Sequence, residues 1–400
     1  MDIKFIFMLN ITTALLLFFS ILQLIRHTKR LKTIKYRVHV NGTRGKSSVT
    51  RLIAAGLRAG GLKTCAKTTG TVPRMIMPDG REYPIFRPGR PNIAEQLRVV
   101  RTAKANNVEV LVMECMALQP YLQWLSEDKM IKATHGVITN ARADHLDVMG
   151  PNEEDVVKAL CGMVPKNRKL FTAERKYLEF IQLVCHERKT ECVSTTLEKI
   201  NSVTEDELTK FQYIEHAENV ALALEVCCSL GVSRDVALKG MQKASPDPGA
   251  LIDYDINFFG RSFRFVNGFA ANDPESTQRV WDISIQRHSE ATKRIALFNC
   301  RVDRPERSMQ LAQAFKEWAP ADHIVIMGTG TYLFSKTLTK AGFNYHDIYF
   351  ADNLSVEEIF ESIVELSGPS ALIVGMGNIG GQGLELVQFF KNRALLKEEA

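Results

Sequence analysis

Residues 36–51 read YRVHVNGTRGKSSVTR. The alternation in YRVHV predicts a strand, and SSVTRLIAAGLRA after it has the apolar spacing of an amphipathic helix. Between them lies Gly42-Thr43-Arg44-Gly45-Lys46-Ser47. The phosphate-loop pattern GxxxxGK[ST] would place glycine at position 40, where the chain has Val40, which leaves a shortened GxxGK[ST] form. Ligands of open α/β sheets bind where strands end and helices begin, the position this loop occupies. Backbone N–H groups around two glycines, together with a helix N-terminus, form an anion nest. Lys46 can then reach phosphate oxygens, and the Ser47 hydroxyl can ligate Mg²⁺.

The same alternation of strand and helix continues along the chain. Strand-like runs at 36–40, 108–113, 135–139, 169–173, 294–299, 323–328 and 370–375 are separated by amphipathic stretches such as 92–106, 152–163, 274–287 and 354–366. The pattern predicts an α/β protein with mostly parallel sheets covered by helices. SPDPGA at 245–250, with two prolines and a glycine, marks a linker. The expected organisation is an anchor over 1–25, a basic juxtamembrane linker over 26–35, a nucleotide domain over 36–245 and a smaller α/β domain over 246–400.

The anchor is read from Phe5 to Ile25, 21 residues without a charge, which as a helix reach about 32 Å, enough to cross a bilayer core. FFSILQLIRH offers no small-residue cleavage site of a signal peptide. Arg26, Lys29, Arg30, Lys32, Lys35 and Arg37 follow with no acid among them, so the positive-inside rule holds the rest of the chain in the cytoplasm. A single pass through the cytoplasmic membrane is expected. The formal net charge of +6, without a basic stripe and interleaved aromatics, is too mild to suggest nucleic acid, and no nucleic-acid partner is expected. The eight cysteines contain no CxxC pair and are read as free thiols.

Two other strand ends carry chemistry. VEVLVMEC places Glu114 at the end of a buried strand, where a carboxylate needs a partner. GVITNARADHLDVMGP places Asp144, His145 and Asp147 just past another. With Ser47 they suggest a hydroxyl–carboxylate–imidazole site for Mg²⁺, unusual in its histidine.

GTRGKS, VMECMALQP, TN…DHLDVMGP, PDPGA, VNGFAANDPEST, NCRVDR and GMGNIGG together resemble the ATP-dependent ligase subunit of poly-γ-glutamate (capsule) synthases, the CapB/PgsB type, itself similar to Mur ligases and folylpolyglutamate synthases. The resemblance covers nearly the whole chain. It implies a Mur-ligase-like phosphate-loop domain, a Rossmann-like C-terminal domain, and an amide ligase using ATP and Mg²⁺. A carboxyl group would be activated as an acyl phosphate, with glutamate and the growing poly-γ-glutamate as substrates. Gly42, Thr43, Gly45, Lys46 and Ser47 match the Mur phosphate loop. Glu114 matches the glutamate that holds Mg²⁺, and His145 the histidine on a second metal. Asn219 resembles the adenine-side asparagine. Asn267 stands where Mur ligases have an aspartate, and Asn272 fits the asparagine after it. Arg301, Asp303 and Arg304 look like the basic motif that closes on nucleotide and acyl phosphate. Position 159 is alanine beside Lys158, so no carbamoylated lysine is expected.

Arg44, between the two glycines, is expected to bind phosphate or a glutamyl carboxylate bidentately. Lys67, Arg74, Arg81, Arg87, Arg90 and Arg98 could form a track for a polyanion, with TTGT at 68–71 among them. GMGNIG at 375–380 matches GxGxxG, but too little chain follows for a dinucleotide fold. A single-span chain has no channel, so integral-membrane partner subunits are expected for export; a homo-oligomer stays open. Two other functions fit less of the sequence: an NTPase or phosphotransferase, and a nucleotide-switched assembly factor of an envelope complex.

Overall fold

The computed structural model describes residues 3–70, 73–87, 89, 91–211, 213, 215–246, 252–271 and 273–395. Two compact units emerge, one of Met1–Phe211 with His216–Ser245, the other of Gln212–Glu215 with Pro246–Ala400. Each is built on its own sheet, as the α/β reading requires.

In the first unit the strands are β1 Tyr36–Asn41, β2 Thr64–Thr68, β3 Arg74–Ile76, β4 Glu82–Pro84, β5 Val110–Glu114, β6 His135–Ile138, β7 Lys169–Thr172 and β8 Glu191–Ser194. They lie in the order β4-β3-β2-β5-β1-β6-β7-β8. β3 pairs antiparallel with both its neighbours, β2 and β4; the remaining pairs are parallel. Strands β1, β5 and β6 are buried on both faces, which explains their run of Val, Leu, Met and Ile.

Helix α1 (Ile3–Thr33) is continuous from the apolar run through the basic segment, and its last turns fold onto the domain. Leu31 and Ile34 are buried with Val99, Leu111 and Met113. His27 Nε2 lies 2.7 Å from the Met130 carbonyl oxygen. The Arg37 guanidinium donates to the carbonyls of Leu31 and Ile34 at 3.0 and 2.7 Å, satisfying the orphan acceptors of that helix end. Helix α2 (Lys46–Ala59) follows β1, and helix α3 (Glu95–Ala105) precedes β5.

The second unit holds β9 Asp253–Phe258, β10 Arg261–Asn267, β11 Lys293–Cys300, β12 His323–Gly328, β13 Ile348–Phe350 and β14 Ser370–Gly377, ordered β13-β12-β11-β14-β10-β9. Only β9 runs antiparallel. One face is closed by helices Pro274–Arg287, Pro305–Ala314 and Thr331–Lys340 through Trp281, Leu311 and Phe334. The other is closed by Val356–Leu366 and Gln382–Leu395 through Phe360 and Phe390. Strand β11 therefore exits to one face and its neighbour β14 to the other.

Candidate active site

In the first sheet β1 connects leftward to β2 and β5 connects rightward to β6, so this adjacent pair parts at its carboxyl end. Such a switch point is where α/β sheets open a crevice for ligands. Val40 of β1 is level with Glu114 of β5 there. The phosphate-loop candidate and the candidate metal carboxylate thus meet by topology.

Two glycines shape the loop. Gly42 has φ 133°, and a Cβ on it would lie 2.0 Å from Thr139 Oγ1. Gly45, at φ 74°, caps α2; its Cβ would lie 2.7 Å from Asn219 Oδ1, so Asn219 sits against the loop. The segment after β6 braces the rest. The Asn140 carbonyl accepts the Thr43 N–H at 3.0 Å, and Asn140 Oδ1 accepts the Arg44 N–H at 3.1 Å and the Thr43 hydroxyl at 2.7 Å. Thr139 donates its hydroxyl to the Arg44 carbonyl at 2.6 Å. The first bond of α2 runs from the Val49 N–H to the Gly45 carbonyl at 2.8 Å. The N–H groups of Gly45 to Ser48 lie ahead of it, at the positive end of the helix dipole. That is a cradle for an anion.

Lys46 Nζ donates to the Gly42 and Thr43 carbonyls at 2.7 and 3.2 Å, folded back over its own loop. Burial pushes its ammonium below the usual lysine range, with Glu114 and Asp144 opposing the shift. Glu114 is buried and accepts three bonds: from the Ser47 hydroxyl at 2.9 Å, the Thr69 N–H at 2.7 Å and the Thr69 hydroxyl at 2.5 Å. Arg44 Nη2 lies 3.7 Å from Asp144 Oδ2, and His145 Nε2 lies 3.9 Å from the same oxygen. His145 itself takes the left-handed conformation, φ 50°, at the head of the short helix Leu146–Met149. Ser47 and Glu114 offer hard oxygen donors side by side, the type Mg²⁺ selects. Among the described residues no cluster of three or more His, Cys, Asp or Glu side chains could hold an ion alone. Substrate oxygens and water would have to complete the coordination.

Sequence reasoning missed Thr69 and Asn140 as individual residues. TTGT stands out only as a whole, and Asn140 falls in the TN…DHLDVMGP motif, but its bracing of the loop becomes visible only once β6 lies beside β1. The basic track is corrected at its start. Lys67 is removed from solvent and pairs with Glu95 Oε1 at 3.0 Å; Arg87 binds the same carboxylate at 2.6 Å. Arg81 pairs with Asp79 at 2.7 Å, and Arg90 lies outside the described residues. Burial has enlisted Lys67 and Arg87 to neutralise one internal carboxylate, so these two do not line an open groove.

In the second unit the crevice between β11 and β14 gathers another set. Asn299 donates to the carbonyls of Asn378 and Gly380 at 2.5 and 3.0 Å. A Cβ on Gly380 would meet Arg301 Nη1 at 2.6 Å, so NCRVDR and GMGNIGG adjoin. Arg301 grips Asp303 bidentately at 2.9 and 2.7 Å, which holds that carboxyl below the usual range. Arg304 caps the helix Pro305–Ala314, and Asn267 ends β10, fully buried. Asn272 lies outside the described residues.

The Mur ligase middle-domain model matches residues 40–231, and that of the poly-gamma-glutamate synthase CapB C-terminal domain matches 254–393. The capsule biosynthesis protein CapB of Bacillus anthracis is 36% identical over 400 residues, all of this chain and 85% of that one. The chain belongs to the CapB family of poly-γ-glutamate synthases. PGA synthase CapB of Bacillus subtilis is 35% identical, over 95% of this chain and 96% of its own. The protein is therefore an ATP-dependent amide ligase of the Mur type. Its fold is shared with E. coli FolC in complex with ADP, at TM-score 0.70 and 16% identity over 93% of both chains. A folylpolyglutamate synthase/dihydrofolate synthase from Yersinia pestis, complexed with AMPPNP and Mn ion, gives TM-score 0.68 at 14% identity, over 92% of this chain and 93% of that one.

Proposed function

We propose that this CapB-family ligase is anchored in the cytoplasmic membrane and lengthens poly-γ-glutamate by activating a γ-carboxylate with ATP. The observation that carries the reading is Glu114, held by Ser47 and Thr69 at the mouth of the Gly42–Ser47 cradle. The cradle suits the phosphates, and the buried carboxylate suits a divalent ion beside them. Ser47 and Glu114 would hold Mg²⁺, with His145 as the further ligand. When bound, the ion supplies neutralisation of charge on the phosphate oxygens. Solved neighbours carrying AMPPNP with manganese, one of them with L-glutamate bound, support nucleotide, metal and substrate alike.

Two negatively charged partners must then react. A carboxylate oxygen attacks the γ-phosphorus, the P–O bond to ADP breaks, and an acyl phosphate results. The amine of the next glutamate attacks the acyl carbon, phosphate leaves, and the amine proton passes to solvent. The N–H groups of Gly45 to Ser48 hold phosphate oxygens in place. Lys46, lodged on carbonyls of its own loop, has only to turn to meet the γ-phosphate. Thr43 and Arg44 have their N–H groups committed to Asn140, so their part is to keep the loop open. Arg44, beside Asp144, would take the substrate carboxylate. Asn219 fixes the loop against Gly45, and Asn267, Asn272, Arg301, Asp303 and Arg304 are assigned to nucleotide and acyl phosphate.

The anchor reading rests on Phe7–Thr33, whose most apolar window has a mean hydropathy of 2.0 and no buried share. Thr13 and Ser20 return their hydroxyls to the Leu9 and Leu16 carbonyls at 2.8 and 2.7 Å, so their polarity is satisfied within the helix. Export of the polymer requires integral-membrane partners. The test is incorporation of labelled glutamate, with ATP and Mg²⁺, by membranes carrying the protein and those partners. A polymer resistant to α-peptidases and cleaved by a γ-glutamyl hydrolase is expected, and Lys46→Ala should abolish it. Polymer from the Lys46→Ala membranes would overturn the assignment.

A further inference from the structure

The amino-terminal end of the first sheet, opposite the phosphate loop, holds a cavity of about 340 Å³. Six cations line it: Arg37, Lys129, Lys132, Lys166, Arg168 and Arg188. Arg37 belongs to the start of β1, Lys132 precedes β6 and Arg168 precedes β7, so the ends of three parallel strands converge there. Among the described residues two acids share the lining, Glu127 and Asp128. Glu127 is already committed to the buried His39, 2.8 Å away. Asp128 serves Lys129 and Lys166 together, at 2.7 and 3.0 Å. Arg188 is spent on the Gly162 and Val164 carbonyls. Lys132 and Arg168 are exposed, and among the described residues neither side chain has a hydrogen-bond or ion-pair partner. A concave, uncompensated positive site of this kind calls for an anion.

Its position says which one. The apolar run of α1 ends at Ile25, and two residues later His27 is bonded to the Met130 carbonyl. Met130 lies between Lys129 and Lys132 in the lining segment. The cavity's edge is therefore held about 3 Å of helix beyond the end of the apolar run. Arg37 fastens the two together, donating at once to Leu31 and Ile34 of the helix end and to Ile131 and Lys132 of the cavity wall.

We propose that this pocket is a binding site for the phosphate of an anionic phospholipid headgroup, seated by α1 at the bilayer surface. The inference rests on the anchor reading above. It fixes an orientation that a flexible tether would not: the strands' amino ends face the lipid, and the phosphate loop lies one strand length further out, about 20 Å. Substrates would then enter from the cytoplasm rather than along the membrane.

The full chain in neutral detergent micelles is offered phosphatidylglycerol and phosphatidylcholine in equal amounts, and retained lipid is counted by native mass spectrometry. The wild type should retain phosphatidylglycerol preferentially. Lys132→Gln with Arg168→Gln should reduce that preference roughly 25-fold, about fivefold per charge, while ATP turnover stays unchanged. The charge-conserving pair Lys132→Arg with Arg168→Lys should keep it, which separates loss of charge from loss of fold. Equal retention of both lipids by the wild type would overturn the proposal. So would a preference that survives the double glutamine variant, since it would then belong to the basic residues of α1. Displacement of the lipid by inorganic phosphate or by poly-γ-glutamate would make this a soluble-anion site and also overturn it. Carbonate extraction from pure phosphatidylcholine bilayers reads the anchor alone. A chain that washes off refutes the anchor and the headgroup site together, whereas one that stays and shows no lipid preference refutes only the site.

Discussion

The strand that delivers the phosphate loop is held by a buried charge, and its strength should depend on pH. His39 of β1 is fully buried with Nδ1 2.8 Å from Glu127 Oε2. Burial alone would lower its pKa, but contacts with Cys115 and Glu127 outweigh it and hold the imidazole at about 9. Raising a histidine from 6.5 to about 9 corresponds to about 3 kcal/mol of folded-state stabilisation. Because the folded value is the higher one, that stability is complete below about pH 6.5 and is lost as pH climbs through about 9. Glu127→Gln removes the carboxylate that faces the imidazolium, so we expect about 2 kcal/mol of destabilisation near pH 6 and little near pH 10. A urea series read by hydrogen exchange on the Tyr36–Asn41 peptide isolates the first unit from the second. An equal loss at both pH values would show that the interaction is not an ion pair, and the reasoning would fail.

Four further outcomes follow from the same geometry. Thr69→Val removes one donor to Glu114 and leaves the backbone one, and should raise the divalent-ion requirement of ATP turnover about 10- to 100-fold; an unchanged metal titration would separate Thr69 from the metal site. Gly42→Ala should abolish nucleotide binding because both its φ and its Thr139 contact exclude a side chain, whereas Gly45→Ala should be partly rescued by Asn219→Ala, as read by ADP calorimetry. His145→Ala should raise the Mg²⁺ concentration needed for turnover, and a superimposable titration curve would return His145 to a structural role. Removing residues 1–25 should release a soluble, fully stable protein, but removal through Thr33 should lower its melting temperature by stripping His27 from the Met130 carbonyl and Leu31 from both the core and Arg37.

The loop and its helix were legible because their signal is local: two glycines, a lysine and a serine within six residues, after an alternating strand. The α/β class was legible for the same reason, through the spacing of apolar runs. Thr69 was not, since its bond to Glu114 exists only because β2 lies beside β5 in the sheet. Asn140 likewise depends on β6 neighbouring β1. Lys67 was misread as a surface cation because TCAKT looks half-polar; its partner Glu95 comes from the start of α3, a pairing no periodicity announces. The basic segment after the apolar run read as a linker by charge, yet His27 and Leu31 tie it into the first unit. Long-range pairing, rather than local propensity, decided each of these.

The central claim is that a carboxylate attacks ATP. Membranes carrying the protein and its partners, supplied with ATP, Mg²⁺ and glutamate labelled with ¹⁸O in its carboxylates, test it through the phosphate released. One labelled oxygen should appear in the phosphate for each amide formed, and none with Lys46→Ala. Polymer formed alongside unlabelled phosphate would mean that water or another group took the phosphoryl, and the acyl-phosphate mechanism would be wrong.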